Sequence, residues 1–167
     1  PVCSLETLGN TLDNRPLSLL TVGQAGLGKR NIWLTARQHP GETMAAFAIE
    51  GLLQKLLDPA DACGRKLLEN AVFYIIPNMN PDGSVRGHLR TNAAGVNLNR
   101  EWANATMERS PEVYLTQQKM RTTGVDLFID CQYDIRTSSR DDYRQQSRDL
   151  PIEPPHLFNT SRSGILD

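Results

Sequence analysis

Six consecutive apolar residues, Ala71-Val72-Phe73-Tyr74-Ile75-Ile76, halted by Pro77-Asn78, constrain the fold more than any other stretch of this chain. A strand-length run without polar alternation has no face to offer to water. It therefore predicts a strand covered on both sides, the pattern of a central strand in an α/β sheet. Arg15 to Val22 and Asn31 to Ala36 are shorter β-prone runs joined by the glycine-rich segment Gly23 to Arg30, and they read as a hairpin. Thr43 to Leu57 carries Met44, Phe47, Ala48, Gly51, Leu52 and Leu56 near helical spacing, which predicts a helix that buries this face. Thr43 is placed to cap it and Asp58-Pro59 to end it. Ser110-Pro111-Glu112 supplies an N-cap, a first-turn proline and an early acid for a second helix reaching Thr122. Val125 to Ile129 follows as another buried strand. Strands and helices alternate after the opening pair, so the predicted fold is α/β, a mixed central β-sheet with helices on both faces.

A length of 167 residues suits one domain. From Arg136 onward the sequence turns polar, and Leu150 to Pro155 holds three prolines. Residues 1–135 thus read as the folded unit and 136–167 as a polar, proline-containing tail whose composition favours disorder. The chain opens on Pro1 without an initiator methionine, as a piece starting inside a longer parent would. Eighteen basic and nineteen acidic residues leave a net charge of -1, which disfavours nucleic acid and anionic membranes as partners. Cys3, Cys63 and Cys131 lack metal or redox spacing and suit reduced thiols, hence a cytoplasmic setting. No apolar run approaches the roughly 20 residues that span a bilayer.

Gly23 to Lys29 imitates a phosphate-binding loop, but Arg30 stands where a magnesium-binding hydroxyl is needed and a strand follows where a helix is needed. It reads as a plain connecting loop. His39-Pro40-Gly41-Glu42 lies between a strand and a helix and offers an imidazole and a carboxylate from one tight turn, two of the donors a zinc ion takes. Asn80-Pro81-Asp82-Gly83 is a turn by residue type, yet it follows the carboxyl end of the buried strand, where α/β folds build ligand sites. Arg86, Arg90 and Arg100, interleaved with Asn97 and Asn99, occupy a glycine-punctuated stretch without periodicity. Guanidinium forks there suit carboxylate recognition.

Together with Gly95-Val96-Asn97-Leu98-Asn99-Arg100-Glu101-Trp102, these motifs occur in an order and spacing that resembles the zinc metallocarboxypeptidases, most of all their cytosolic carboxypeptidase branch. The resemblance runs from about Leu8 to Asp130 and covers the N-terminal half of the catalytic domain. It implies that His39 and Glu42 bind one Zn2+, that Arg90 polarises the scissile carbonyl and stabilises the oxyanion, and that Asn99 and Arg100 grip the free C-terminal carboxylate of a peptide or protein. The implied reaction is metal-assisted hydrolysis of the last peptide bond.

The family's third zinc ligand is a histidine in an Asp-x-His-Gly pattern after a buried strand, and Asp130-Cys131-Gln132-Tyr133 places Gln132 there. An amide oxygen is a poorer zinc ligand than an imidazole nitrogen, so weakened metal affinity is expected. His88, His156 and Asp134 are the other side chains considered for that role. The family's glutamate base lies in a later strand, and Glu153, in a proline-rich context, does not match it. The expectation is a carboxypeptidase-like domain, apparently incomplete, with weak or no turnover by this chain alone. Two alternatives stand beside it: a zinc amide deacylase of acylated amino acids, and a non-catalytic module that binds C-terminal carboxylates.

Overall fold

The hydrophobic strand takes the middle of the sheet. In the computed structural model, which describes residues 3–132, β4 (Ala71–Ile76) is buried along its whole length. It pairs antiparallel with β2 (Pro16–Val22) on one side and parallel with β3 (Arg30–Ala36) on the other. β1 (Cys3–Asn10) adds antiparallel to β2, and β5 (Leu127–Cys131) adds parallel to β3, giving the order β1-β2-β4-β3-β5. The sheet is mixed, as predicted. The hairpin expected from β2 and β3 does not form, because β4 lies between them and hydrogen-bonds both. An all-apolar strand leaves no backbone edge or face for water, so it claims two neighbours, and the glycine-rich loop becomes a crossover instead of a tight turn. Lys29, the imitation of a phosphate-loop lysine, turns its Nζ to the Leu68 carbonyl at 2.6 Å.

Helices cover both faces. On one side α1 (Met44–Leu57) and α2 (Ala62–Asn70) pack Ala45, Ile49, Leu56, Leu67 and Leu68 against Val22, Leu34, Phe73 and Ile75. On the other, Val113 and Met120 of α4 (Pro111–Thr123), with Leu98 and Trp102, meet Leu17, Leu19, Trp33, Val72, Tyr74 and Ile76. β4 divides its side chains between the two cores by strict alternation. The α1 face differs from the one expected: Met44 and Phe47 point outward, Phe47 at 70% exposure, and Ala45 and Ile49 are buried instead. Leu52 and Leu56 of the expected face do pack into this core, so the helical period was right and the face is rotated from the expected one over its first half, since apolar residues on α1 outnumber the places the sheet offers.

Neither expected helix cap is made by its side chain. Thr43 has helical backbone angles and no capping bond, and the buried Ser110 hydroxyl has no hydrogen-bond partner among the described residues. Asn80 does cap: its Oδ1 accepts from Gly83 N at 2.9 Å and starts α3 (Pro81–Arg86), with Pro81 in the first turn. The sequence-predicted turn is therefore a short helix. Gly83 is obligatory for close approach, since a Cβ there would lie 2.5 Å from Pro40 Cγ and 2.5 Å from the Thr91 carbonyl oxygen. That contact joins α3 to the two loops that carry the candidate site. The polar tail at 136–167 lies outside the described residues.

Candidate active site

β3 ends at Ala36, and the chain turns at once through Arg37, a non-glycine residue with φ of 57°. The Arg37 Nη2 donates to the Pro40 carbonyl at 2.7 Å and clasps the turn it opens. Glu42 N then donates to His39 O at 3.1 Å, and Gly41 N to Leu89 O at 3.0 Å. This geometry aims His39 and Glu42 at each other: Nδ1 and Oε1 are 2.8 Å apart, and both residues are buried. The Nε2 atom faces Asn97 Oδ1 at 3.0 Å and Arg90 Nη2 at 3.3 Å. Arg90 Nη1 also lies 3.5 Å from Glu42 Oε1, and its side chain is half exposed. A neutral ring protonated on Nδ1 donates to Glu42 and accepts from Arg90. A doubly protonated ring would donate to Glu42 and Asn97 and lose the Arg90 bond. The Glu42 contact persists in both states.

Asn97 joins this pair to the next segment. Its Oδ1 accepts from Asn99 N at 3.2 Å and starts a single 3₁₀ turn, Leu98–Arg100. The turn buries Leu98 and sets Asn99 beside Gln132: Asn99 Nδ2 donates to Gln132 Oε1 at 2.9 Å, and Arg100 Nη1 donates to Asn99 Oδ1 at 3.0 Å. Gln132 Nε2 donates in turn to Asp130 Oδ2, which also accepts from Gln38 Nε2 at 2.7 Å. Thr35 Oγ1 holds the other Asp130 oxygen at 2.7 Å. Burial pushes the Asp130 carboxyl above the usual aspartate range, against the lowering effect of these bonds. Gln38 Oε1 accepts from Trp102 Nε1 at 2.9 Å, which ties the carboxyl end of the sheet to the loop after Arg100.

The structure thus gathers His39, Glu42, Arg90, Asn99, Arg100 and Gln132 into one hydrogen-bonded network. His88 does not join it. Its Nδ1 faces the Thr91 carbonyl oxygen at 3.2 Å and Thr91 Oγ1 at 3.4 Å. Asp134, Glu153 and His156 lie outside the described residues. Sequence reasoning gave no role to Gln38, Asp130 or Asn97, whose work is to hold other side chains. Asp130 and Asn97 stood inside quoted motifs without a role of their own, and the only signal for Gln38 was its place beside His39.

A family model described as zinc carboxypeptidase matches residues 1–140. The chain belongs to the zinc carboxypeptidases. An uncharacterized protein of Zymomonas mobilis is 56% identical over 162 residues, which are 97% of this chain and 37% of that protein. Cytosolic carboxypeptidase-like protein 5 of Danio rerio is 44% identical over 87 residues, 52% of this chain and 10% of that protein. The crystal structure of a putative carboxypeptidase A from Shewanella denitrificans superposes with a TM-score of 0.78 at 60% identity, covering 80% of this chain and 36% of that one. The chain therefore spans well under half the length of these relatives.

The family is a zinc family, and the donors present here can be tested against that ion. His39 Nδ1 and Glu42 Oε1 face each other, as two ligands of one cation do once the proton between them leaves. A third donor is missing among the described residues. Among the described residues no three His, Cys, Asp or Glu side chains come together in a group able to hold a metal. Both amide atoms of Gln132 are taken by Asn99 and Asp130. The described residues of this zinc carboxypeptidase chain therefore do not fit a three-ligand zinc site.

Proposed function

We propose that the protein works at the free C-termini of peptides or proteins, as part of a metallocarboxypeptidase domain in which Arg100, Asn99 and Arg90 recognise the chain end. The observation that carries this reading is the state of Arg100. Arg15, Arg86 and Arg109 are each held by carboxylates at 2.5 to 2.9 Å. Arg100 is exposed, and among the described residues its guanidinium bonds only to Asn99 oxygens, with no carboxylate against it. A cation oriented by a neighbouring amide is suited to a carboxylate supplied by a ligand. Arg90, half exposed and 3.3 Å from His39 Nε2, is placed to donate to a carbonyl oxygen next to that carboxylate.

Residues 1–167 alone turn over such substrates weakly or not at all, because the described donor set is one short and Gln132 fills the third position. The test is hydrolysis of a C-terminally unblocked peptide by the purified chain, with and without a chelator. Binding without turnover is expected, and ordinary turnover abolished by the chelator would contradict the reading. A second reading, a carboxylate-binding module that performs no chemistry, is favoured by the Gln132 to Asn99 bond, which spends the third-ligand position on holding the grip. A cytoplasmic setting belongs to the same proposal. Its support is three unpaired cysteines and the printed name of the cytosolic relative. No described helix is long and apolar enough to cross a membrane.

A further inference from the structure

Glu112 sits in the first turn of α4, fully buried, and among the described residues no charged group is bonded to it. Its Oε2 accepts from Asn92 Nδ2 at 3.2 Å, and its Oε1 has no partner among the described residues. A buried carboxyl held by one bond is costly to keep. What it holds is informative. Asn92, also fully buried, uses every polar atom of its side chain: Nδ2 donates to Arg109 O at 3.0 Å besides Glu112, and Oδ1 accepts from Ala94 N at 3.0 Å and Val96 N at 3.2 Å. Its backbone closes the same turn, Asn92 N donating to Val96 O at 2.9 Å and Gly95 N to Asn92 O at 3.0 Å. The turn so fixed lies between Arg90 and Asn97, the two groups that meet at His39 Nε2.

We propose that Glu112 is a positioning residue, which orients Asn92 and through it fixes the spacing between Arg90 and the Asn97–Arg100 segment. The proposal rests on the reading that Arg90, Asn99 and Arg100 bind a C-terminal carboxylate. Asn92 could turn its amide over only by placing its oxygen against Glu112 and the Arg109 carbonyl and its NH2 against two backbone donors, so the carboxyl adds to the backbone groups that select one orientation. Burial also pushes the Glu112 carboxyl up to about 7, opposed first by its own backbone N–H and then by the Asn92 bond, with Asp82 adding a smaller raising effect. The charge on Glu112 therefore changes across the pH range around neutrality. The other charged groups facing this turn are Arg86, whose Nη1 donates to Ala93 O at 3.3 Å, His88 against Thr91, and the Arg109–Glu101 pair.

The test uses the full chain as wild type, Glu112→Ala and Glu112→Gln. It reads hydrogen exchange at Ala94, Gly95 and Val96 between pH 6 and 8, corrected for intrinsic rates, and binding of a short peptide with a free C-terminus. Glu112→Ala should speed exchange in this turn tenfold or more while β4 stays protected, and should weaken the peptide by a similar factor. Glu112→Gln keeps an oxygen for Asn92 Nδ2 and should restore both, while losing the part of the pH dependence that separates it from wild type. Unchanged turn protection in Glu112→Ala overturns the proposal; if that variant does not fold, a Glu112→Gln pH profile identical to wild type overturns it. A wild-type chain that ignores the peptide overturns the carboxylate reading alone, since the exchange measurement still decides the role of Glu112.

Discussion

At the scale of single residues, two side chains set the chemistry. Glu112 has its pKa raised from the ordinary 4.5 to about 7 by burial. The folded state therefore binds this proton more tightly than the unfolded state does. Its contribution to stability is fully present below about pH 4.5 and is lost as the pH rises through about 7. The loss is on the order of 3 kcal/mol. Glu112→Gln should flatten that part of the profile, so urea unfolding at pH 5 and pH 8 should differ less in the variant than in wild type; an equal difference would contradict the burial argument. Gln132 is the second. His39 and Glu42 already face each other, and an imidazole in place of the Gln132 amide would complete a three-donor set. Zinc titration of metal-stripped Gln132→His should show affinity at least tenfold above wild type, and the gain should vanish when His39→Ala is added. Equal affinities would place the third ligand elsewhere. That Gln132 stands where the resemblance puts a histidine was legible in the sequence; that Gln132 is tied at both ends to Asp130 and Asn99 was not, because it depends on which side chains the strand ends bring together.

At the scale of elements, the buried strand was read correctly and its neighbours were not. The apolar run at Ala71–Ile76 specifies burial but not partners, and the choice of β2 and β3 as flanking strands depends on both cores forming together. Helix α1 shows the same limit. Its period follows from the sequence, whereas its phase is set by the few sites the sheet can cover. Ile49→Ala should cost about 2 to 5 kcal/mol, since Ile49 is 2% exposed, and Phe47→Ala should stay within about 0.5 kcal/mol. Denaturant midpoints for the two variants check the phase directly, and the reverse order would restore the face first expected. The edge strand β1 and helix α2 were missed because both offer few apolar residues to a core: β1 is largely exposed, and α2 buries only Gly64 outright.

At the scale of the whole molecule, the sheet's carboxyl end, the turn at His39, the Asn97 segment and the end of β5 converge on one polar network between the two cores. The motifs were legible through their resemblance to the zinc carboxypeptidases, and their convergence followed from an α/β fold that gathers loops at strand ends. Gln38 and Asn92 carry no motif of their own, and Asp130 and Glu112 were read only as parts of a ligand pattern and a helix start, so their supporting contacts are visible only in the coordinates. The central claim is that this network recognises a free chain end. Calorimetry on the metal-stripped chain, comparing one short peptide as its free acid and as its C-terminal amide, tests it most directly. The acid should bind at least about tenfold tighter, as the loss of a charged hydrogen bond implies, and Arg100→Ala should erase the difference. Equal binding of acid and amide by the wild-type chain would contradict the account.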